Sequence, residues 1–320
     1  MKQIGTDCTF GRAEQRAPQG LSTGSTKSVL ITGAYGQLGH ELTRLGQGHE
    51  LLAVDRDALD ITDYDAVTAC LDQFKPDAVI NAAAYTAVDR AESDLEVAFS
   101  VNRDGPDNLA RACGHANIPL IHVSTDYVFD GLKQGAYVES DPVAPLGVYG
   151  ASKLAGEQAV LKQCPKSIIL RTSWVFSAHG QNFVKTMLRL GTEREELGIV
   201  ADQHGCPTSA AELARAIYAV LDKDLNDNHR GVYHFCQPEP TTWFAFANAV
   251  FDSAREQGID LSVNTVNAIA TTDYPTPAER PANSVMDCNK FEQSFGFTVR
   301  PWRDSLDEVI RELSDVRGEA

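Results

Sequence analysis

The octapeptide Thr32-Gly33-Ala34-Tyr35-Gly36-Gln37-Leu38-Gly39 constrains the fold more than any other stretch of the chain. It follows the β-branched run Ser28-Val29-Leu30-Ile31-Thr32 and opens the helical spacing of Gln37 to Gly46, which places it at a strand-to-helix turn. Gly33 allows a tight turn, Gly36 lets the backbone approach a pyrophosphate, and Gly39 lets the helix pack closely on the strand. A glycine triplet alone is a weak signal, because glycines punctuate turns everywhere. With a strand before it and a helix after it, the triplet reads as the phosphate-binding turn of a dinucleotide site.

Downstream, short β-branched runs alternate with helical stretches, the pattern of a parallel sheet covered on both faces. Strands are expected at Glu50 to Asp55, Asp77 to Ala83, Leu120 to Ser124 and Ile168 to Arg171. Helices are expected at Asp63 to Phe74, Ala91 to Asn102, Pro106 to His115 and Tyr149 to Gln163. The fold class is therefore α/β, a doubly wound, Rossmann-like parallel sheet. Beyond Trp174 the alternation loosens, and a smaller C-terminal substrate-binding lobe is expected there. Residues 1–26 read as a flexible N-terminal extension, 27–175 as the dinucleotide-binding domain with the catalytic residues, and 176–320 as mainly the smaller lobe, with some segments returning to the sheet.

Composition narrows the partners. A net charge of −16, from 28 basic and 44 acidic side chains, argues against a nucleic-acid footprint and an anionic membrane surface. No apolar run approaches the ~20 residues of a membrane helix. Seven cysteines, odd in number and without a C-x-x-C pair, suit reduced thiols in a cytoplasm better than disulfides or zinc.

Asp55 ends the second strand about 20 residues past the glycines, where a carboxylate accepts hydrogen bonds from an adenosine ribose. Arg56 follows, and a guanidinium there suits a 2′-phosphate, so both NADH and NADPH remain open. Asp60-Ile61 either flanks the adenine or, through Asp60, caps the next helix. Asn81-Ala82-Ala83-Ala84 ends the third strand with side chains small enough to let a dinucleotide pass, although an alanine run is also ordinary packing.

Tyr149-Gly150-Ala151-Ser152-Lys153 sets a phenol and an ammonium at i and i+4, on one helical face. A nearby cation favours the phenolate and lowers a phenol from its ordinary ~10. In the reductive direction the phenol gives its proton to an oxygen that gains negative charge. The bare pair arises often by chance. Ser124-Thr125-Asp126, at the C-terminal end of a strand facing the same crevice, supplies a hydroxyl to hold a carbonyl beside Tyr149.

Taken together, the glycine triplet, Asn81-Ala82-Ala83-Ala84, Ser124 to Phe129 and Tyr149/Lys153 resemble the extended short-chain dehydrogenase/reductase family. Tyr85 to Glu92, Arg171 to Val175, Asn182-Phe183 with Thr186 to Arg189, Asp202-Gln203 with Pro207-Thr208, and Tyr274 to Ala278 with Arg280-Pro281 resemble the dTDP-4-dehydrorhamnose reductase family within it. The resemblance runs from about Ser28 to the C-terminus. It implies NADPH- or NADH-dependent reduction of the C4 ketone of dTDP-4-dehydro-6-deoxy-L-mannose to dTDP-L-rhamnose. It also implies Tyr149 as proton donor with Lys153 as its partner, Thr125 tuning the phenol and holding substrate with Asp126, and Trp174 against the sugar nucleotide. Gly36, Gln37, Leu38, Asp55, Asp60, Ile61, Ala84, Tyr85, Thr86 and Val123 would line the cofactor.

Some members of that family hold magnesium through glutamates at a dimer interface. Glu41 matches one position, but another falls on Ala211 with Glu212 beside it, and a shift of one residue turns a helical side chain by about 100°. The pattern therefore argues against a metal, and the implied homodimer loses that support; Glu41 reads most simply as a solvated helix residue. Two other readings share parts of the pattern. One is a non-catalytic dinucleotide-binding regulatory subunit, like the methionine adenosyltransferase beta subunit, which has no need of an intact Thr125/Tyr149/Lys153 set. The other is a nucleotide-sugar epimerase or dehydratase; dehydratases use an acidic pair, and here Tyr127 follows Asp126.

Overall fold

Alternating strands and helices build the elements in chain order, as seen in the computed structural model, which describes residues 26–223, 225 and 229–318. The first part of the chain forms β1 (Ser28–Thr32), α1 (Gln37–Leu45), β2 (Glu50–Val54), α2 (Tyr64–Phe74), β3 (Ala78–Asn81), α3 (Val88–Ala91), α4 (Leu95–Phe99), α5 (Gly105–Ala116), β4 (Leu120–Thr125), α6 (Val148–Gln163) and β5 (Ser167–Thr172). The second part forms β6 (Val175–Phe176), α7 (Phe183–Glu193), β7 (Glu196–Val200), β8 (His204–Gly205), β9 (Thr208–Ser209), α8 (Ala210–Leu221), β10 (Gly231–His234), β11 (Thr241–Thr242), α9 (Trp243–Glu256), β12 (Thr265–Ile269), α10 (Asn289–Phe295) and α11 (Trp302–Gly318). Apart from Thr26, the expected N-terminal extension lies outside the described residues.

Six strands pair in parallel in the order β10-β5-β4-β3-β1-β2. The winding direction reverses between β1 and β3, and such a switch point opens a crevice above the C-terminal strand ends. Both faces are apolar because both are covered. Val29, Ile31, Ile80 and Ile121 meet Leu38 and Leu42 of α1 and Leu213 and Ile217 of α8 on one face. Leu30, Val79, Leu120 and Ile169 meet Val67 of α2, Leu109 of α5 and Val160 of α6 on the other.

Segments past residue 176 complete this unit: β10 extends the sheet beside β5, α8 packs on α1, and Phe291 and Phe295 of α10 join the same cluster. The smaller lobe packs α7, α9 and α11 with the parallel β7-β12 ribbon around Phe176, Phe246, Phe251 and Trp302. Among the described residues, no helix is long and apolar enough to cross a membrane.

One expected element differs. The helix anticipated over Ala91 to Asn102 is broken after α3, resumes as α4, and then widens into a π-helical turn over Ser100–Asp104. At the break the Arg90 carbonyl oxygen accepts from the Ser93 amide at 3.1 Å and hydroxyl at 3.0 Å as well as from the Asp94 amide at 2.9 Å, which tightens the turn there.

Candidate active site

The turn after β1 places Gly33 at φ = +74°, where a Cβ would sit 2.6 Å from the Ala83 nitrogen. Strand ends β1 and β3 can approach this closely only because position 33 has no side chain. Gly36 then begins α1 with extended backbone and no side-chain cap, so the first amide groups of this nine-residue helix have no side-chain acceptor. Uncapped amides at a helix start suit an anionic phosphate.

Below the turn lies a cavity of about 840 Å³ lined by Gly33, Gly36, Asp55, Arg56, Asp60, Ile61, Ala84 and Tyr85. The Asp55 carboxylate accepts from the Tyr35 amide at 3.0 Å and the Arg56 amide at 2.7 Å. The Arg56 side chain is 77% exposed and stands 3.5 Å from Asp60. Asp60 is not a helix cap. It accepts from the Thr62 amide and hydroxyl at 2.9 and 2.7 Å, bonds that hold its carboxyl below the usual range, while Asp63 caps α2 by accepting from the Asp65 and Ala66 amides. The groove fits a dinucleotide, with a carboxylate and a guanidinium side by side at the ribose end.

A second cavity, of about 480 Å³, continues from the first through their shared Gly36, Ala82 and Ala84. Gln37, Leu38, Thr86, Val123, Thr125, Asp126, Tyr149, Lys153 and Trp174 line it. Of the cofactor-side residues anticipated from sequence, Gly39 lies outside both cavities, and packing explains it: a Cβ there would strike the Gly33 carbonyl oxygen and lie 2.7 Å from the Ala34 Cα.

Tyr149 lies in the first turn of α6, one turn before Lys153, and both line the second cavity. The Lys153 ammonium donates to the Val123 carbonyl oxygen at 2.7 Å, and burial pulls it down to about 8 against the opposing pull of Glu157. The Tyr149 phenol lines the cavity together with Thr125, whose hydroxyl donates to Asp126 at 2.9 Å. Burial pushes the phenol up to about 12, and the Asp126 charge adds to the rise. The expected lowering of the phenol by Lys153 is therefore absent in this geometry. The phenol holds its proton at neutral pH, the form from which a proton can be given. Asp126 is itself buried, and burial pushes its carboxyl up to about 6.

Several supporting residues carry no mark in the sequence. Asn102, turned inward by the π-helical turn, accepts from the Tyr85 amide at 2.8 Å and donates to the Tyr85 carbonyl oxygen and the Ser152 hydroxyl oxygen, each at 3.0 Å. Ser152 in turn donates to the Tyr149 carbonyl oxygen at 2.8 Å, so one buried amide ties the loop after β3 to the first turn of α6. Glu157, one turn beyond Lys153, accepts from Ser124 at 2.6 Å and from Arg171 of β5 at 2.7 and 2.9 Å. Across the cleft, the Asn182 amide donates to Gln37 at 2.9 Å, joining the start of α7 to the start of α1.

Glu41 is not a solvated helix residue: it is 3% exposed and its carboxylate binds the Arg44 guanidinium at 2.6 and 2.9 Å. Glu212 is likewise buried and accepts from Arg215 at 2.9 Å and Arg300 at 3.2 Å. Both carboxylates are thus neutralised by guanidinium groups. Among the described residues, no cluster of His, Cys, Asp and Glu side chains has metal-holding geometry.

A glycine turn feeding a parallel-sheet switch point, followed by Thr, Tyr and Lys around one cavity, defines the short-chain dehydrogenase/reductase class. Comparison with known proteins narrows this. The family model described as RmlD substrate binding domain matches residues 27–315. The chain is 48% identical over 286 residues to dTDP-4-dehydrorhamnose reductase of Aggregatibacter actinomycetemcomitans, covering 88% of this chain and 97% of that one. It is 42% identical over 292 residues to the enzyme of the same name from Escherichia coli K12, covering 89% and 98%. A solved structure of dTDP-4-dehydrorhamnose reductase from Bacillus anthracis in complex with NADP superposes with a TM-score of 0.83 at 38% identity, covering 90% and 99%. The chain belongs to the dTDP-4-dehydrorhamnose reductase family.

Proposed function

We propose that this protein reduces the C4 ketone of dTDP-4-dehydro-6-deoxy-L-mannose to dTDP-L-rhamnose, using NADPH or NADH. The observation that carries the reading is the continuous cleft: the uncapped helix start and Asp55 line one end, and Tyr149, Lys153, Thr125 and Trp174 line the other. The reduced nicotinamide supplies a hydride to the C4 carbon when bound. The groove along Gly33, Gly36, Gln37, Leu38 and Ala84 holds the dinucleotide, with Asp55, Arg56, Asp60 and Ile61 at its adenosine end and Tyr85, Thr86 and Val123 toward the reaction end.

Thr125, whose hydroxyl donates to Asp126 at 2.9 Å here, turns that one proton to the ketone oxygen and holds it within reach of Tyr149. Tyr149 releases its proton to that oxygen as negative charge develops there, so the product leaves as a neutral alcohol and solvent returns the proton to the phenol. Lys153, anchored on the Val123 carbonyl oxygen, grips the ribose hydroxyls of the cofactor and so orients the nicotinamide beside Tyr149. Trp174 lines the sugar end of the chamber. A homodimer is the assembly that the family resemblance implies, and the unpaired cysteine pattern suits a cytoplasmic location; sedimentation of the purified protein tests the first.

The test is direct. Purified protein is mixed with NADPH or NADH and the keto-sugar nucleotide, and loss of reduced-cofactor absorbance is followed alongside product analysis. Cofactor oxidation matched by an equal amount of dTDP-L-rhamnose is the expected result. Tight dinucleotide binding without turnover would replace the proposal with the regulatory-subunit reading.

A further inference from the structure

Trp174 and Trp243 stack with ring centroids 3.5 Å apart and planes 10° from parallel. Trp174 lines the reaction cavity, whereas Trp243 lines a separate cavity of about 500 Å³ in the smaller lobe, beside Gln203, Tyr274 and Arg280. The paired indoles are therefore the wall between the two chambers. Trp174 adopts φ = +47°, a left-handed conformation that a bulky residue keeps only when its surroundings hold it there.

Those surroundings are visible on both sides of the ring. On one side Gly205 lies against the indole, where a Cβ would fall 2.5 Å from Cε2. On the other lies Trp243, fixed by two contacts, one of them backed by a further hydrogen bond. Its Nε1 donates to Gln203 Oε1 at 3.2 Å, Gln203 Nε2 donates to the Thr271 hydroxyl at 3.1 Å, and Phe183 packs on it at 4.6 Å between centroids. The backbone adds one bond, from the Thr208 amide to the Trp174 carbonyl oxygen at 3.2 Å.

We infer that Trp243 is a positioning residue for sugar-nucleotide recognition: it clamps Trp174 against Gly205 and so sets the width of the chamber in which the sugar stands beside Tyr149. This rests on the proposed function, which places the sugar against Trp174. Leucine at 243 leaves a gap beside the indole and frees the ring, whereas phenylalanine keeps a flat partner in place.

The experiment compares wild type with Trp243→Leu and Trp243→Phe. Trp243→Leu is expected to raise KM for the keto-sugar nucleotide about five- to tenfold, the worth of one aromatic pair, with KM for NADPH within twofold. The near-UV circular dichroism couplet of the stacked indoles should vanish in Trp243→Leu and equally in Trp174→Phe, which assigns it to this pair rather than to Trp302. Trp243→Phe should recover most of the substrate affinity. An unchanged sugar-nucleotide KM despite loss of the couplet overturns the clamp, and so does an equal rise in KM for both substrates. Wild-type turnover is measured first: its absence overturns the functional reading and the clamp with it, whereas its presence with an unmoved KM in the leucine variant overturns the clamp alone.

Discussion

At Gly33, Gly36 and Ala82 to Ala84 the cleft wall is backbone and small side chains, whereas between Thr125 and Trp174 it is hydroxyl, carboxyl, phenol, ammonium and indole. The first stretch suits close approach: Gly33 leaves no room for a Cβ, and the first α1 amides carry no side-chain cap. The second recognises by ionisation and shape. Its titratable groups are buried and shifted, the phenol and the carboxyl up and the ammonium down. A main-chain wall is generic to dinucleotides. A wall of shifted side chains is where the reaction and the substrate are chosen, and substitutions should separate the two.

Tyr149→Phe should have the largest effect, lowering kcat by about 10²–10⁴-fold through loss of the proton donor, while the NADPH dissociation constant stays within a few-fold. Stopped-flow turnover paired with a fluorescence titration reads both, and parallel loss of binding would merge the two halves that the comparison separates. Gly33→Ala should do the reverse. Strain at φ = +74° and the collision with Ala83 should cost roughly 1–3 kcal/mol and weaken NADPH binding, with single-turnover chemistry at saturating cofactor less affected.

Asp126 gives a pH-dependent contrast. Its native carboxyl titrates at about 6 rather than 3.8, so the folded state binds more protons than the unfolded state between those values, and stability falls as pH rises through that window. Asp126→Asn should accordingly be more stable than wild type at pH 7, by roughly 2–3 kcal/mol, and should match it below about pH 4. Urea unfolding across this range checks the sign, and a constant offset at all pH values would remove the ionisation account. The smallest effect belongs to Arg56→Ala. Its guanidinium is mostly exposed, so KM for NADPH should rise by about five- to tenfold and that for NADH by less than twofold. Equal changes would mean that the guanidinium does not face the 2′ position.

The main-chain half of this cleft is legible in the sequence because its signals are local. A β-branched run, a glycine turn and a helix start are adjacent in the chain, and the i, i+4 spacing of Tyr149 and Lys153 is enough to put them on one face. Trp243 is not legible in this way, because its partner Trp174 lies in a different segment and only packing of the smaller lobe brings the rings together. Asn102 sits in a π-helical turn, which a 3.6-residue period cannot announce. Counting and spacing leave the cysteines scattered, yet the Cys236 and Cys288 sulfurs lie 3.6 Å apart. None of the five residues of strand β12 is buried, although Val266 packs against the smaller-lobe core, and pairing with β7 holds the strand. The expected solvation of Glu41 fails for a related reason: Arg44 lies three residues along the same helix and neutralises it in place, which lets a carboxylate sit where an apolar side chain would be anticipated.

The glycine pressed against the Trp174 ring has an engineering consequence. Position 205 holds no ionisable or hydrogen-bonding side chain, so a methyl added there acts only by pushing on the indole. It is the simplest dial for altering how much room a hexose finds in the chamber. Sequences that differ at this one residue should sort by the bulk of the sugars they accept while keeping the same acid and the same coenzyme.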